Sequence, residues 1–156
     1  EGFYSNTIGL LYKSEGLIQS LEQGLIGTSS QSLGLLTLSH GPFLNFGRHR
    51  VGESAVVRVT LTNAGGGLAS KLKEVSLAEP FQFTGHVYPG VNGTCKRSLN
   101  PKNSCFLELE FRPKAAQPYN GTLEIEYSDG FFVQEVDRNL FGIGFSPSSQ
   151  LNDSRN

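Results

Sequence analysis

The segment SCFLELEFRP, residues 104–113, restricts the fold more than any other part of the chain. Cys105, Leu107, Leu109 and Phe111 alternate with Glu108, Glu110 and Arg112. A period of two sends neighbouring side chains to opposite faces of a strand, and no amphipathic helix has that period. Pro113 stops the ladder because it has no N–H to donate. The pattern returns at once in YNGTLEIEY, with Leu123, Ile125 and Tyr127 inward and Thr122, Glu124 and Glu126 outward. Ser128-Asp129-Gly130 then predicts a tight two-residue hairpin turn. Upstream, SAVVRVTLTN places Ala55, Val57, Val59 and Leu61 on one face, and Asn63-Ala64-Gly65-Gly66-Gly67 ends that strand. Weaker strands follow at Lys71 to Leu77 and around Phe81 and Phe83. The last strand, Phe131 to Phe141, changes phase: Phe131 and Val133 fit one register, Val136 and Leu140 the other. That predicts a β-bulge near Glu135. The expected fold is all-β, an antiparallel sandwich of about seven strands over residues 41–145. A polar tail follows over 146–156, expected to fray.

Charge narrows the function. Thirteen basic and fourteen acidic residues leave a net charge of −1. No basic face is available for nucleic acid or an anionic membrane surface. No apolar run approaches the roughly 20 residues that span a bilayer as a helix, so no membrane insertion is expected. The chain opens at Glu1 and contains no Met, which reads as a mature product or an excised piece. Cys95 and Cys105 are too few for a zinc site. They are either two buried thiols or a disulfide.

Several pieces form a familiar ordered set. Phe46-Gly47, Val51-Gly52 and Val59-Thr60-Leu61-Thr62-Asn63 are followed by Cys95, Leu99-Asn100-Pro101 and Ser104-Cys105. Phe111-Arg112-Pro113, Tyr119-Asn120-Gly121 and Leu140 to Gly144 complete it. Residues 42–145 thereby resemble the immunoglobulin-like repeat of the ASPM/SPD-2/Hydin group, and more closely its bacterial version, the choice-of-anchor D domain. The resemblance implies an immunoglobulin-like sandwich related to pilus-chaperone and fibronectin-like domains. It implies a Cys95–Cys105 disulfide and hence an oxidising, extracytoplasmic location. It implies spacer, scaffold or display work rather than catalysis. Pro101-Lys102-Asn103 replaces the family's Pro-Gly spacer before the second cysteine.

No catalytic constellation is visible. His40, His49 and His86 have no other ligand at metal spacing. Gly-x-Ser-x-Gly is absent, and Gly65-Gly66-Gly67 lacks the Lys and helix of a phosphate loop. Glu108, Glu110, Glu124 and Glu126 read as solvated strand faces. No enzyme activity, cofactor or metal is expected. Asn92-Gly93-Thr94, Asn120-Gly121-Thr122 and Asn152-Asp153-Ser154 match the glycosylation sequon, and the first two Asn-Gly pairs read as turns. Binding fits better than catalysis. The loop TGHVYPGVNGT, residues 84–94, carries His86 and Tyr88 and runs toward Arg97. Tyr suits recognition because it gives contact area at low entropic cost. Phe106 points outward, as an interface residue would. The candidate ligand residues are His86, Tyr88, Arg97 and Phe106, facing a glycan or a cell-surface protein.

Residues 1–40 contain four Gly-aliphatic-aliphatic units: Leu10-Leu11, Leu17-Ile18, Leu25-Ile26 and Leu35-Leu36, each after a glycine. They are too sparse to build a second core. Leu17, Leu21 and Leu25 also make a helical stripe, which Gly16, Gly24 and Gly27 oppose at about 1 kcal/mol each. Units that cannot bury their own apolar side chains need neighbours. The expectation is a stalk-like segment that makes a homo-oligomer, a trimer above all. The style is similar to that of trimeric bacterial surface-fibre and tail-fibre proteins with adhesive tips. The rival arrangement lays this segment on the sandwich as an extra strand or helix. The expected function is adhesion or ligand recognition at a fibre tip; the alternatives are a spacer module or an accessory domain of a larger enzyme.

Overall fold

The computed structural model describes residues 2–29 and 32–147. The expected tail beyond 147, with the Asn152 sequon, lies outside them. The chain divides into two compact units, one ending at Ser32 and one beginning at Leu33.

The first unit is a long antiparallel hairpin of β1 (Gly2–Ser14) and β2 (Leu17–Ser29). Glu15 and Gly16 turn the chain with φ of 52° and 85°. Positive φ at both central positions matches the twist of the flanking strands. The helical alternative is therefore corrected. Four residues is an even number, so Leu17, Leu21 and Leu25 share a face in a strand as they would on a helix. Strand geometry also divides each doublet. Leu10, Leu17 and Leu25 lie on one face with Ile8 and Leu21; Leu11, Ile18 and Ile26 lie on the other.

The second unit is an immunoglobulin-like sandwich. One sheet has the order β4-β11-β10-β6-β8 and the other β3-β5-β9-β7. These are β3 (Leu36–Leu38), β4 (Phe43–Arg50), β5 (Ala55–Asn63), β6 (Ala69–Ser76), β7 (Phe81–Phe83), β8 (Ser98–Leu99), β9 (Ser104–Phe111), β10 (Pro118–Ser128) and β11 (Val133–Phe145). Neighbours pair antiparallel except β11 with β4, which run parallel. The expected boundary at residue 40 moves to 32. Leu36 and Leu38 are buried and β3 pairs with β5, so the fourth doublet belongs to the sandwich, with Leu35 exposed.

The alternating residues of the two sheets meet in one core. Leu107, Leu109 and Phe111 of β9 face Leu123 and Ile125 of β10, all fully buried. Phe46, Phe81 and Phe111 pack with centroids 5.0–5.6 Å apart. Two glycines make that cluster possible. A Cβ on Gly121 would lie 2.8 Å from the Phe81 ring, and one on Gly142 would lie 2.7 Å from Phe111. Asn120-Gly121 is thus mid-strand, a correction to the turn expected there; burying an aromatic against the backbone is what requires the glycine. Asn63 is fully buried and fully satisfied. Its Nδ2 donates to Gly67 and Leu99 carbonyls, and its Oδ1 accepts from Leu35 and Gly65 N–H groups. Buried amides persist when all their bonds are made.

The β10–β11 connection differs from the expectation. Ser128 pairs with Val133, so four residues turn rather than two. Buried Asp129 accepts from the Phe131 and Phe132 N–H groups at 2.9 and 2.8 Å. Phe131 and Phe132 belong to this turn and are exposed. The β10–β11 register runs without a shift, so no bulge occurs at Glu135. Inward positions are Val136, Leu140, Gly142 and Gly144, and the phase change was the turn itself.

Candidate recognition surfaces

Cys95 and Cys105 form a disulfide with Cα atoms 4.9 Å apart. It ties the loop after β7 to the start of β9. Thr94 and Phe106 add two bonds beside it: Thr94 N–H donates to the Phe106 carbonyl, and Phe106 N–H donates to Thr94 Oγ1.

Glu108 completes the clamp. It was expected on a solvated face, but it is 7% exposed. Thr84 Oγ1 donates to its carboxylate at 2.7 Å, and the backbone and side chain of Asn92 donate at 3.2 Å. The Thr84 bond, with help from Asn92, holds the Glu108 carboxyl below its ordinary range. Gly90, with φ of 99°, lets the loop pass over β9, since a Cβ there would lie 2.5 Å from the Glu108 carbonyl. The loop is therefore stapled at Thr84, Asn92 and Cys95.

The four candidate ligand residues are not brought to one point. Tyr88 and Arg97 meet: the guanidinium lies 5.9 Å from the ring centre. Tyr88 also stands edge-on to Phe83 at 5.5 Å, and its hydroxyl donates to the Lys96 carbonyl at 3.4 Å. Burial pushes the Tyr88 hydroxyl up to about 12, with Arg97 opposing and Glu74 adding. Arg97 also donates to the Leu72 carbonyl. Phe106 stands elsewhere, on β9 opposite Thr60, with Arg58 5.1 Å over its ring. It is 38% exposed.

His86 lines a cleft of about 430 Å³ with Glu79, Pro80, Gln82, Arg112 and Lys114. Lys114 pairs with Glu79 and lowers its pKa. Arg112 Nε donates to the Gly52 carbonyl at 3.0 Å, fixing one wall. Nearby, Ser54 donates to Glu110 directly, and Gln82 donates to the same carboxylate. Ser54 and Gln82 together hold the Glu110 carboxyl below its ordinary range. Among the described residues no group of three or more His, Cys, Asp or Glu could hold a metal.

A further hollow of about 550 Å³ lies on the five-stranded sheet. Phe43, Asn45, Asn120 and Asn139 line it on β4, β10 and β11. Residues 43 and 45 are far in sequence from 120 and 139, and no local pattern joins them. On the same sheet Glu124 stands opposite Asp137 and Glu126 opposite Glu135. Burial and these neighbours raise the Glu124 pKa.

The hairpin presents a different kind of surface. Ile8, Leu10, Leu17, Leu21 and Leu25 share one face and are 54, 62, 68, 63 and 46% exposed. On the other face Leu11, Ile18 and Ile26 stand among Lys13, Ser20 and Glu22. One face is an apolar ladder; the other is mixed.

No protein-family model and no curated protein sequence matches the chain. Solved structures do. The Vibrio cholerae VesB protease structure is 17% identical, with a TM-score of 0.56 over 69% of this chain and 31% of that one. A protein of unknown function from Porphyromonas gingivalis W83 is 12% identical, with a TM-score of 0.50 over 91% of this chain and 66% of that one. The ASH/PapD-like domain of human CEP192 is 15% identical, with a TM-score of 0.49 over 70% of this chain and 84% of that one. At such identities the likeness is one of fold. This chain spans about a third of the VesB chain.

Proposed function

We propose that the chain is a non-catalytic adhesion or recognition module that works in an oxidising, extracytoplasmic compartment. Its sandwich is the rigid display element. Its hairpin is an assembly element whose apolar face other protein covers. One contrast carries this reading: the sandwich buries its own aliphatics and ties down its own loop, while the hairpin exposes an apolar ladder. A two-stranded hairpin is marginal in water by itself, and such ladders mark protein contacts. The Cys95–Cys105 disulfide supports the compartment. Where copies of this chain supply the cover, the module is a homo-oligomer, a trimer in the fibre-tip arrangement.

Adhesion is tested on a glycan and cell-surface protein array, with His86→Ala and Tyr88→Ala beside the parent chain. Loss of binding in either variant places the ligand at the 84–94 loop. Equal binding removes the loop from the reading, and no binding at all leaves assembly as the function. A second reading is an accessory domain beside a catalytic partner. The VesB match favours it, since a similar sandwich is part of a protease chain. Co-purification of a hydrolase with the native full-length protein would support it.

A further inference from the structure

The hairpin β1–β2 repeats the hairpin β10–β11. Moving the sequence by 115 positions lays residues 3–29 on 118–144 without a gap. Tyr4, Thr7, Tyr12, Gln19, Leu25 and Gly27 fall on Tyr119, Thr122, Tyr127, Gln134, Leu140 and Gly142. Ile8, Leu10, Leu21 and Glu22 fall on Leu123, Ile125, Val136 and Asp137. Strand pairing repeats in the same register. Tyr4↔Gly27, Ile8↔Gln23, Leu10↔Leu21 and Tyr12↔Gln19 match Tyr119↔Gly142, Leu123↔Arg138, Ile125↔Val136 and Tyr127↔Gln134. A single-residue slip would exchange the two faces; both ladders run without a shift and keep one common register. The ladder of Ile8, Leu10 and Leu25 is therefore the face that Leu123, Ile125 and Leu140 bury in the sandwich core. The shift of 115 is also about the span from the start of the second unit, Leu33, to the end of its last strand, Phe145. A repeat period equal to the domain length marks a tandem array.

We propose that β1–β2 is the closing hairpin of a preceding sandwich of the same kind, and that about 85 residues of the same polypeptide upstream cover its apolar face. This deepens the reading that protein covers that face and rests on it. The second sandwich specifies what the missing layer supplies. β11 takes β4 in parallel on one edge, and β10 takes β6 antiparallel on the other. β2 and β1 receive equivalent strands. The Phe111 ring lies against Gly142 and edge-on to Tyr119 at 5.8 Å. Tyr4 and Gly27 are the paired positions that correspond to them in sequence. Phe111 precedes Tyr119 by eight residues, so an aromatic residue stands about eight positions before Tyr4. The protein is then a row of sandwiches, and the hairpin is a sandwich's last piece rather than a stalk.

The test compares hydrogen exchange of residues 1–156 with that of the native polypeptide extended about 90 residues upstream. Extension should slow the β1–β2 amides at least ~100-fold, toward the protection of β10–β11. Leu10→Asp and Leu25→Asp in the extended chain should abolish that gain and leave residues 33–145 unchanged. Three results overturn the proposal. Upstream residues could lack alternating strands and the aromatic. The amides could stay fast in the extended chain, which also removes the reading that protein covers the face. Residues 1–156 alone could protect the hairpin in a concentration-dependent way, with the mass of two or three chains. That last result spares the covering reading and replaces the repeat with copies of this chain.

Discussion

Two hairpins of this chain obey the same rules and end in opposite states. Both pair antiparallel in matching register, and both put aliphatics on one face. Leu123 and Ile125 are fully buried, whereas Leu10 and Ile8 are more than half exposed. Pairing satisfies the backbone of a strand, but only a second layer satisfies its apolar face. The difference is not in the pairing; within its own unit β10–β11 has a second sheet, β3-β5-β9-β7, to bury its aliphatics against.

The comparison is broken most directly at the aromatic cluster. Phe111→Ala should cost the sandwich about 3–5 kcal/mol, read by urea unfolding. Leu10→Ala in residues 1–156 should leave that same transition where it was. Equal losses would mean that hairpin and sandwich share a core. Next in size is the disulfide. Removing it by Cys95→Ala with Cys105→Ala opens a short loop and should cost somewhat under ~3 kcal/mol. Gly142→Ala should follow at about 1–3 kcal/mol, because the new methyl meets the Phe111 ring. Gly24→Ala, with nothing within 4 Å, should be near neutral.

Titration gives the smallest and most local effects. Glu108 and Asp129 have lowered pKa values, mainly through hydrogen bonds from Thr84 and from the Phe131 and Phe132 backbone. Their contribution is present above the ordinary carboxyl value near 4.5 for Glu108 and 3.8 for Asp129, and it fades as pH falls through the lowered values. Glu108→Gln should flatten the acid limb of a stability–pH curve. A curve of unchanged shape would remove the Thr84–Glu108–Asn92 clamp from the account. Tyr88 acts at the other end. Its pKa is raised from 10.0 to about 12, so its contribution is intact below pH 10 and is lost as pH rises toward 12. Tyr88→Phe should remove that alkaline loss.

Much of the sandwich was legible. Alternation in β5, β9 and β10 gave the strands and the inward residues, because a buried face must recur every second position. The edges were less so. β3 and β8 are two or three residues long, too short for a period to register. Asp-Gly suits a two-residue loop, but the Asp129 side chain organises a turn of four residues, which the dipeptide alone does not signal. Glu108 looked solvent-facing by phase and became buried when the 84–94 loop folded over it. Of the candidate ligand residues, Tyr88 and Arg97 meet, while His86 and Phe106 stand apart. Spacing along a loop does not say which way each residue will face.

The residues alone determined that the chain is β, which side chains of its main strands point inward, and that the leading segment carries more apolar surface than it can bury. Those are local matters, set by period, turn chemistry and side-chain size. Only the tertiary structure decided that the leading segment is a hairpin, since an interval of four suits helix and strand alike. The match of residues 3–29 to 118–144 lies in the sequence, but only the tertiary structure showed that the matching face of β10–β11 is the buried one. A face acquires meaning from what lies opposite, and strand neighbours distant in sequence leave no mark on local pattern.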